Sequence, residues 1–387
     1  MRSICVLGST GSVGTQTLEV ARALGIRVSG LSAWSNLRLL AEQAQEFKPE
    51  AVAVGDGKLS GDALEVFRTM SPSPRVLMGR DGLCEMASEV GDGIVVNAVV
   101  GSTGIWPTLW AIRAGRDVAL ANKETLVAAG HHVMEEAHRR KVMIRPVDSE
   151  HSAIWQCLAG QPRQAVRRLI LTASGGPFRD RLDLQSVTRE EALAHPNWNM
   201  GPKISIDSAT MVNKALEVVE ARWLFDLDVD KIDVLVHRQS IVHSMVEFED
   251  GCVMAQLGAA DMRMPIQHAL TYPERVKADV PRLDFASLGT LTFDAPDIHR
   301  FPGVALGHGA LKLGGVAPAV MSAANEEAVR MFLEGGIEFV RITSLVKEAM
   351  DGAPSIPNPG IEQILEADEW ARQYVRGRCS ACTRFHS

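Results

Sequence analysis

The opening residues restrict the fold more than any other part of the chain. Ile4-Cys5-Val6-Leu7 is a short apolar run, and Gly8-Ser9-Thr10-Gly11-Ser12-Val13-Gly14 follows at once. A helical pattern through Leu18, Val20, Ala21 and Leu24 comes next. Strand, glycine turn and helix in that order form the first unit of a parallel α/β sheet. Glycine lets the backbone turn tightly and approach a ligand with no Cβ in the way. The helix N-terminus then offers N–H groups and the positive end of its dipole to a phosphate. The spacing is G-x-x-G-x-x-G, not the G-x-G-x-x-G of the usual dinucleotide fingerprint, so the loop alone is a partial signal.

Residues 26–31 read as a second strand that ends beside an adenosine ribose. An NAD site places Asp or Glu there. Residues 29–38 contain neither and offer Ser32, Ser35, Asn36 and Arg38, which suits the extra phosphate of NADP. Further strands are predicted at 51–54, 93–100, 118–121 and 142–147, with helical stretches between several of them. Polar groups follow the later ones: Gly101-Ser102-Thr103, Asn122-Lys123-Glu124 and Asp148-Ser149-Glu150. Ligands of open parallel sheets bind outside the carboxyl ends of the strands, so three polar strand ends weigh more than any single residue.

Asp148 and Glu150 are two apart and can converge on one hard divalent cation such as Mg²⁺ or Mn²⁺. A third ligand is sought around residues 207–220. Ser208 reads as the N-cap of a helix. Asn213, Lys214 and Glu217 then share a face, with Glu220 close to it. Spacing does not choose between the two glutamates, and an ordinary Lys–Glu surface pair is the plainer alternative. Residues 169–173 form another apolar strand ended by Ser174-Gly175-Gly176-Pro177, a turn able to meet a phosphate. His195-Pro196-Asn197-Trp198-Asn199-Met200-Gly201-Pro202 reads as a lid loop. Strands at 233–238, 241–248 and 252–257, with the turn signal Asp250-Gly251, predict an added antiparallel portion of the sheet, available for a subunit interface. Residues 281–302 read as a linker. Helices are expected at 304–313, 318–333, 339–350 and 361–375.

Composition excludes several classes. The 387 residues carry 40 basic and 47 acidic side chains, a net charge of −7, which gives no basic footprint for nucleic acid. Hydrophobic residues at 46% and charged ones at 22% exclude a largely disordered chain. No apolar run reaches the ~18–20 residues of a membrane span, and the first residues lack a signal peptide's pattern. Six scattered cysteines point to reduced thiols in the cytoplasm. Cys379 and Cys382 form a lone C-x-x-C, read as a bland tail. Arg372, Arg376, Arg378 and Arg384 read as the solvated end of a last helix.

Taken together, GSTGSVG, ANKE at 121–124, VDSEH at 147–151, LTASGGPF at 171–178, HPNWNMG at 195–201 and KISIDSATMVNKALEVVEARWLF at 203–225 resemble the 1-deoxy-D-xylulose 5-phosphate reductoisomerases. The likeness continues through AQLGAADMRMPIQHAL and AANEEAV, in the family's order across essentially the whole chain. It implies an N-terminal Rossmann-like NADP-binding domain (1–150), a central α+β catalytic and dimerisation domain (151–278), a linker (279–303) and a C-terminal α-helical bundle (304–387). It implies a homodimer acting on a phosphosugar, 1-deoxy-D-xylulose 5-phosphate. The product would be 2-C-methyl-D-erythritol 4-phosphate, made with NADPH and Mg²⁺ or Mn²⁺, Co²⁺ being a further candidate. By the resemblance, Thr10, Gly11, Ser12, Val13, Asn36, Asn122, Glu124 and Gly201 would meet NADPH. Asp148, Glu150 and Glu217 would hold the metal, which selects Glu217 over Glu220. Lys123, Ser149, Glu150 and Asn213 would contact the sugar oxygens, and Ser174, Ser208, Asn213 and Lys214 the phosphate. His195, Trp198 and Met200 would form the flap, and Lys123, Glu150 and His195 the catalytic set. One departure stands out. The family often has Gly-Lys-Asn after the second strand, and this chain has Trp34-Ser35-Asn36, with Arg38 as the substitute cation. The rivals are an NADP oxidoreductase of a phosphorylated polyol that does no rearrangement, and a non-catalytic NADP sensor that needs no acidic triad.

Overall fold

The computed structural model describes residues 3–198 and 200–382. Its chain divides into two compact units, one of residues 1–125, 131–152 and 261–280, the other of 126–130, 153–260 and 281–387.

The first unit is a doubly wound parallel sheet. Its strands are β1 (Ile4–Leu7), β2 (Val28–Ala33), β3 (Ala51–Val54), β4 (Arg75–Met78), β5 (Ile94–Asn97), β6 (Val118–Leu120) and β7 (Ile144–Pro146). They lie in the order β4-β3-β2-β1-β5-β6-β7. Helices α1 (Ser12–Leu24), α2 (Leu37–Phe47), α3 (Ser60–Arg68), α4 (Gly79–Glu89) and α5 (Ile105–Arg113) are the crossovers. Helices α6 (Lys123–Arg140) and α7 (Ser149–Cys157) contain residues of both units. Near-continuous apolar strands such as β1 and β3 are buried throughout, as a sheet covered on both faces requires. The second strand starts two residues later than its sequence pattern suggested. Gly25 ends α1 in a left-handed conformation (φ 63°) and Ile26 is used as a buried turn residue instead.

The second unit holds β8 (Val166–Ala173), α8 (Arg189–Leu193), α9 (Pro202–Ala209), α10 (Val212–Phe225), β9 (Ile232–Val236), β10 (Val242–Phe248) and β11 (Val253–Leu257). The chain then returns to the first unit with α11 (Arg263–Thr271). Ile266, Ala269 and Leu270 of α11 join the apolar core that contains Leu18 and Ala21, so this stretch leaves the central domain that the sequence division gave it. Helices α12 (Phe285–Leu288), α13 (Gly303–Leu313), α14 (Ala317–Leu333), α15 (Arg341–Asp351) and α16 (Ile361–Cys382) complete the second unit.

Strands β8 to β11 do not extend the first sheet. They make a sheet of their own, ordered β11-β10-β8-β9. β10 is antiparallel to β8 and β11, whereas β9 is parallel to β8. Parallel pairing needs a long crossover, and α8 to α10 supply it. Leu169 and Leu171 of β8 share one apolar core with Val218 of α10, Val304 of α13, Val320 of α14, Leu345 of α15 and Ala371 of α16. The C-terminal helices therefore complete the core of the sheet unit. Residues 281–302, expected to be a linker, are counted with the second unit. They carry one short helix and a single bridge, Val236 to Asp294.

The arginines of the last helix are not all solvated. Arg372 binds Asp368 on its own helix and Glu326 on α14 (2.8 and 2.7 Å), and Arg376 binds Glu327 at 2.9 Å. Arg384 and the side chains of Cys379 and Cys382 lie outside the described residues. No helix among the described residues is long and apolar enough to cross a membrane.

Helix α13 approaches α10 closely because Gly307 has no side chain. A methyl there would stand 2.3 Å from the carbonyl oxygen of Ala215, a backbone atom that cannot turn away. Two residues on, a methyl at Gly309 would meet only the end of Met350, at 3.8 Å. Gly307→Ala is expected to lower stability by about 1–3 kcal/mol through overpacking. Gly309→Ala is expected to be neutral or to stabilise by up to ~1 kcal/mol, the helix preference of alanine. Urea midpoints of the two variants check this, and equal midpoints would refute the close approach.

Candidate functional site

In the first unit the candidates gather at the carboxyl end of the sheet. β1 lies between β2 and β5, so the chain winds outward in both directions from that pair. This is the switch point at which open α/β sheets bind ligands. Gly8 takes φ 81°, and a methyl on it would lie 2.5 Å from the Ala98 carbonyl oxygen. A methyl on Gly14 would lie 2.2 Å from the Gly8 carbonyl oxygen. The loop therefore closes only with glycine at both places. Ser32 Oγ accepts from Gly8 N (2.9 Å), and Ser9 Oγ donates to Gln43 (2.7 Å), which fixes the loop to its neighbours. No side chain caps α1, and Gly11 and Ser12 are exposed while Thr10 and Val13 are half-buried.

The loops after β5, β6 and β7 are tied together within the same unit. Asn122 caps α6 by accepting from Thr125 N (2.9 Å) and donates to the carbonyls of Val99 and Gly101 and to Glu124. Asn122 and Glu124, both predicted at the cofactor, thus also shape the β5 and β6 loops. Asn36 is the N-cap of α2, accepting from Leu39 N at 3.2 Å. Arg38 is exposed and pairs with Glu42 one turn on, at 3.2 Å. Lys123 is buried, not a surface lysine, and is ion-paired with Asp148. His151, wholly buried, reaches the same carboxylate with Nδ1 (3.1 Å). Burial pushes the Asp148 carboxyl up, but Lys123 and His151 outweigh it and hold it well below the ordinary carboxylate range. Ser149 Oγ donates to Glu150 at 2.6 Å.

In the second unit the site is built on β8, α9 and α10. Ser208 does not cap α10. Pro202 opens a separate helix, α9, and Ser208 sits in its last turn. Met211, at φ 62°, breaks the chain between the two helices. Asn213 and Glu217 do share a face of α10, with the Asn213 amide donating to the carboxylate. Lys214 also binds Glu217 and donates to the Thr172 carbonyl at 2.6 Å. Its side chain is 4% and that of Glu217 0% exposed, so this is a buried pair and not the surface pair of the plainer alternative. The Oδ1 of Asn213 is buried with no partner among the described residues. The turn after β8 uses Gly175 and Gly176 at φ 82° and 68°, and a methyl on Gly176 would lie 2.7 Å from the carbonyl oxygen of Ser208. Ser174 and Ser208 are brought close in this way.

The loop from His195 is anchored at its root. Asn197 N and Trp198 N both donate to His195 Nδ1 (3.2 and 3.0 Å). Nδ1 is therefore the bare nitrogen, and Nε2–H donates to Ser174 Oγ at 2.9 Å. Ser174 Oγ also accepts from Gly176 N, which leaves its own proton to donate outward. Trp198 is half-buried and tilted against His243, with ring centres 6.2 Å apart. Met200 is half-buried, and Asn199 lies outside the described residues.

Three family models cover the chain. One described as 1-deoxy-D-xylulose 5-phosphate reductoisomerase matches residues 4–130, and its C-terminal domain model matches 144–225. A further model, the DXP reductoisomerase C-terminal domain, matches 257–374. A reductoisomerase of Pelotomaculum thermopropionicum is 53% identical over 96% of this chain and 97% of its own. One of Trichlorobacter lovleyi is 52% identical over 98% of both. The chain belongs to the 1-deoxy-D-xylulose 5-phosphate reductoisomerase family. Among solved reductoisomerases, that of Zymomonas mobilis in complex with NADPH is 41% identical, with a TM-score of 0.90 over 98% of this chain and 99% of that one. Another, in complex with NADPH, fosmidomycin and magnesium, is 38% identical with a TM-score of 0.94 over 99% of each.

Reading the reductoisomerase motifs from sequence left several partners unassigned. His151 behind Asp148, and Thr172 behind Lys214, stand inside quoted motifs, but nothing in their spacing reveals whom they touch. Asn325 of α14 donates to Asp207 at 2.7 Å, and Lys203 pairs with the same carboxylate at 2.9 Å. The AANEEAV segment thus props the helix that carries Ser208, across a sequence separation no local pattern reports.

Burial, with Arg179 adding to it, holds the His195 imidazole down to about 4. The folded value lies below the ordinary ~6.5, so the neutral ring's contribution is whole above that pH and is lost as pH falls toward 4. Protonation puts a hydrogen on Nδ1 and breaks both backbone bonds at the loop's root. A histidine-selective NMR titration is expected to show His195 neutral at pH 5.5. A midpoint near 6.5 would refute the buried, accepting ring.

Proposed function

We propose that the chain catalyses the NADPH- and divalent-metal-dependent rearrangement and reduction of 1-deoxy-D-xylulose 5-phosphate to 2-C-methyl-D-erythritol 4-phosphate, a step of non-mevalonate isoprenoid precursor synthesis. One observation carries the reading. Relatives of that name match half of all positions over nearly the full length of both chains.

The residues fit both cofactors. Gly8 and Gly14 let the loop at α1 close tightly on backbone, and α1 carries no side-chain cap, which suits a pyrophosphate at its N-terminus. Thr10, Gly11, Ser12 and Val13 meet the dinucleotide, with Asn36, Arg38, Asn122, Glu124 and Gly201 around it. Asp148, Glu150 and Glu217 are an all-carboxylate set, suited to Mg²⁺ or Mn²⁺, and the unpartnered Asn213 Oδ1 adds an oxygen beside Glu217. When bound, the metal supplies Lewis-acid polarisation of the substrate carbonyl and NADPH supplies hydride.

The chain's own residues bind and orient. Ser174, Ser208, Asn213 and Lys214 hold the phosphate, far from the reacting carbons, and that binding energy goes into positioning. Lys214 is held in place by Thr172 and Glu217 and brings the positive charge that a phosphate needs. Lys123, Ser149 and Glu150 contact the sugar oxygens. Lys123 keeps Asp148 ionised and ready to ligate. His195, Trp198 and Met200 form the flap that excludes water from the reaction. The enzyme works as a cytoplasmic homodimer. Buried free Cys5, Cys84 and Cys157 suit a reducing compartment, and β11 is a largely uncovered edge strand available to a second copy.

The test is loss of reduced-nicotinamide absorbance with 1-deoxy-D-xylulose 5-phosphate, with and without Mg²⁺ or Mn²⁺, and identification of the product. Metal-dependent oxidation that yields the branched polyol phosphate is expected, and chelation with EDTA abolishes it. An unbranched product would transfer the chain to a plain polyol-phosphate oxidoreductase. Glu217→Gln is expected to cut turnover by about a thousandfold or more while NADPH affinity stays within about twofold. Equal losses in both would sink the metal assignment.

A further inference from the structure

Trp34 is a large apolar side chain left 57% exposed immediately after β2. A lone exposed aromatic is ordinary on a protein surface, but this one is seated. A methyl built on Gly55 would lie 2.3 Å from Trp34 Cε3, 2.9 Å from Cζ3 and 3.0 Å from Cδ2. The six-membered ring therefore rests on the Gly55 backbone, where only glycine leaves room for it. The two segments are also bound to each other, with Gly55 N donating to the Ala33 carbonyl and Asp56 N to the Trp34 carbonyl, both at 2.9 Å. The ring is thus seated on backbone across the carboxyl ends of β2 and β3, and the exposed part of the indole faces solvent there.

The carboxyl end of the second strand is where a doubly wound fold places the adenosine half of a dinucleotide. The other side chains at this corner are committed to local bonds. Asn36 caps α2 and Arg38 is paired with Glu42. Neither offers a flat apolar surface, whereas an adenine has two faces to cover. We propose that Trp34 is the adenine platform of the cofactor site, stacking its exposed indole on the base while its seat on Gly55 holds the ring in place. This rests on the NADPH reading above and adds to it a residue that recognises the base. Stacking reads the π-face that every adenine nucleotide shares, so Trp34 supplies affinity, and the discrimination of the 2′-phosphate is left to Ser35 and Arg38.

The test is calorimetric titration of the metal-free full-length chain with NADPH, with thermal melting as a folding control. Trp34→Ala, a change at an exposed side chain, is expected to weaken NADPH about tenfold or more with little change in melting temperature. Trp34→Phe keeps an aromatic face and is expected to stay within about threefold of the parent. Gly55→Ala has to lift the ring off its seat and is expected to behave like Trp34→Ala. The proposal is overturned if Trp34→Ala binds NADPH as the parent does, or if Trp34→Phe loses as much as Trp34→Ala. A parent chain that melts cooperatively and yet does not bind NADPH would overturn the underlying cofactor reading itself, a result distinct from both.

Discussion

The buried pair Lys214–Glu217 is the constraint on which the second unit's site depends. Two full charges taken out of water are tolerated only when each is paired and its remaining hydrogen-bonding capacity is met. Here the ammonium reaches the carboxylate and the Thr172 carbonyl together. That double bond fixes α10 against β8, and with it the distance from the strand's terminal turn to the helix face. Removing one partner of such a pair typically costs ~3–5 kcal/mol, because the other is left charged and dry. On the proposed function the same side chains serve the chemistry, the carboxylate toward a cation and the ammonium toward a phosphate, and both are pre-set in the fold. The first unit repeats the device with Lys123 and Asp148, where a buried His151 supplies the second partner.

How much of this could be read from the sequence depended on whether the signal was local. The glycine loop, β1, β3 and the hairpin at Asp250-Gly251 are marked by short local patterns, apolar runs and turn residues, and their bounds came out within a residue or so. β4, whose burial alternates weakly from an exposed Arg75, was missed because a short edge strand carries little periodicity. Ser208 was misread for a different reason. A polar residue before a helical pattern looks like an N-cap, but Pro202 had already started a helix and Met211 in a left-handed conformation restarted it. The choice of Met for that conformation is a tertiary effect, since its side chain is buried. The separate second sheet was equally hidden, because strand patterns do not say which strand is whose neighbour.

Site residues follow the same division. Asp148, Glu150 and Glu217 were named as carboxylates of suitable type, but the partners that hold Asp148 ionised, Lys123 and His151, and the burial of the Lys214–Glu217 pair are assigned only by the fold. Arg372 and Arg376 show the converse. By composition they are a basic tail, and by structure they clamp α16 to α14 through Glu326 and Glu327. Glu327 illustrates the balance. Burial pushes its carboxyl up, and Arg376 and Arg330 together bring it below the ordinary range. Charge counts alone carry no such information.

The two units also solve different problems with one resource, the close approach of backbone to backbone. At Gly8 and Gly14 the absence of a side chain lets the loop after β1 close on its own backbone and on that of Ala98. At Gly307 it lets α13 press against α10 on the side of Val212 and Ala215, roughly opposite the face that carries Lys214 and Glu217. A helix seated a few tenths of an ångström further out would leave α10 less firmly backed against β8. The C-terminal helices are distant in sequence from every candidate ligand. Through α13 they reach α10 nonetheless, by packing the side opposite Lys214 and Glu217 and so backing the helix that presents the pair to β8.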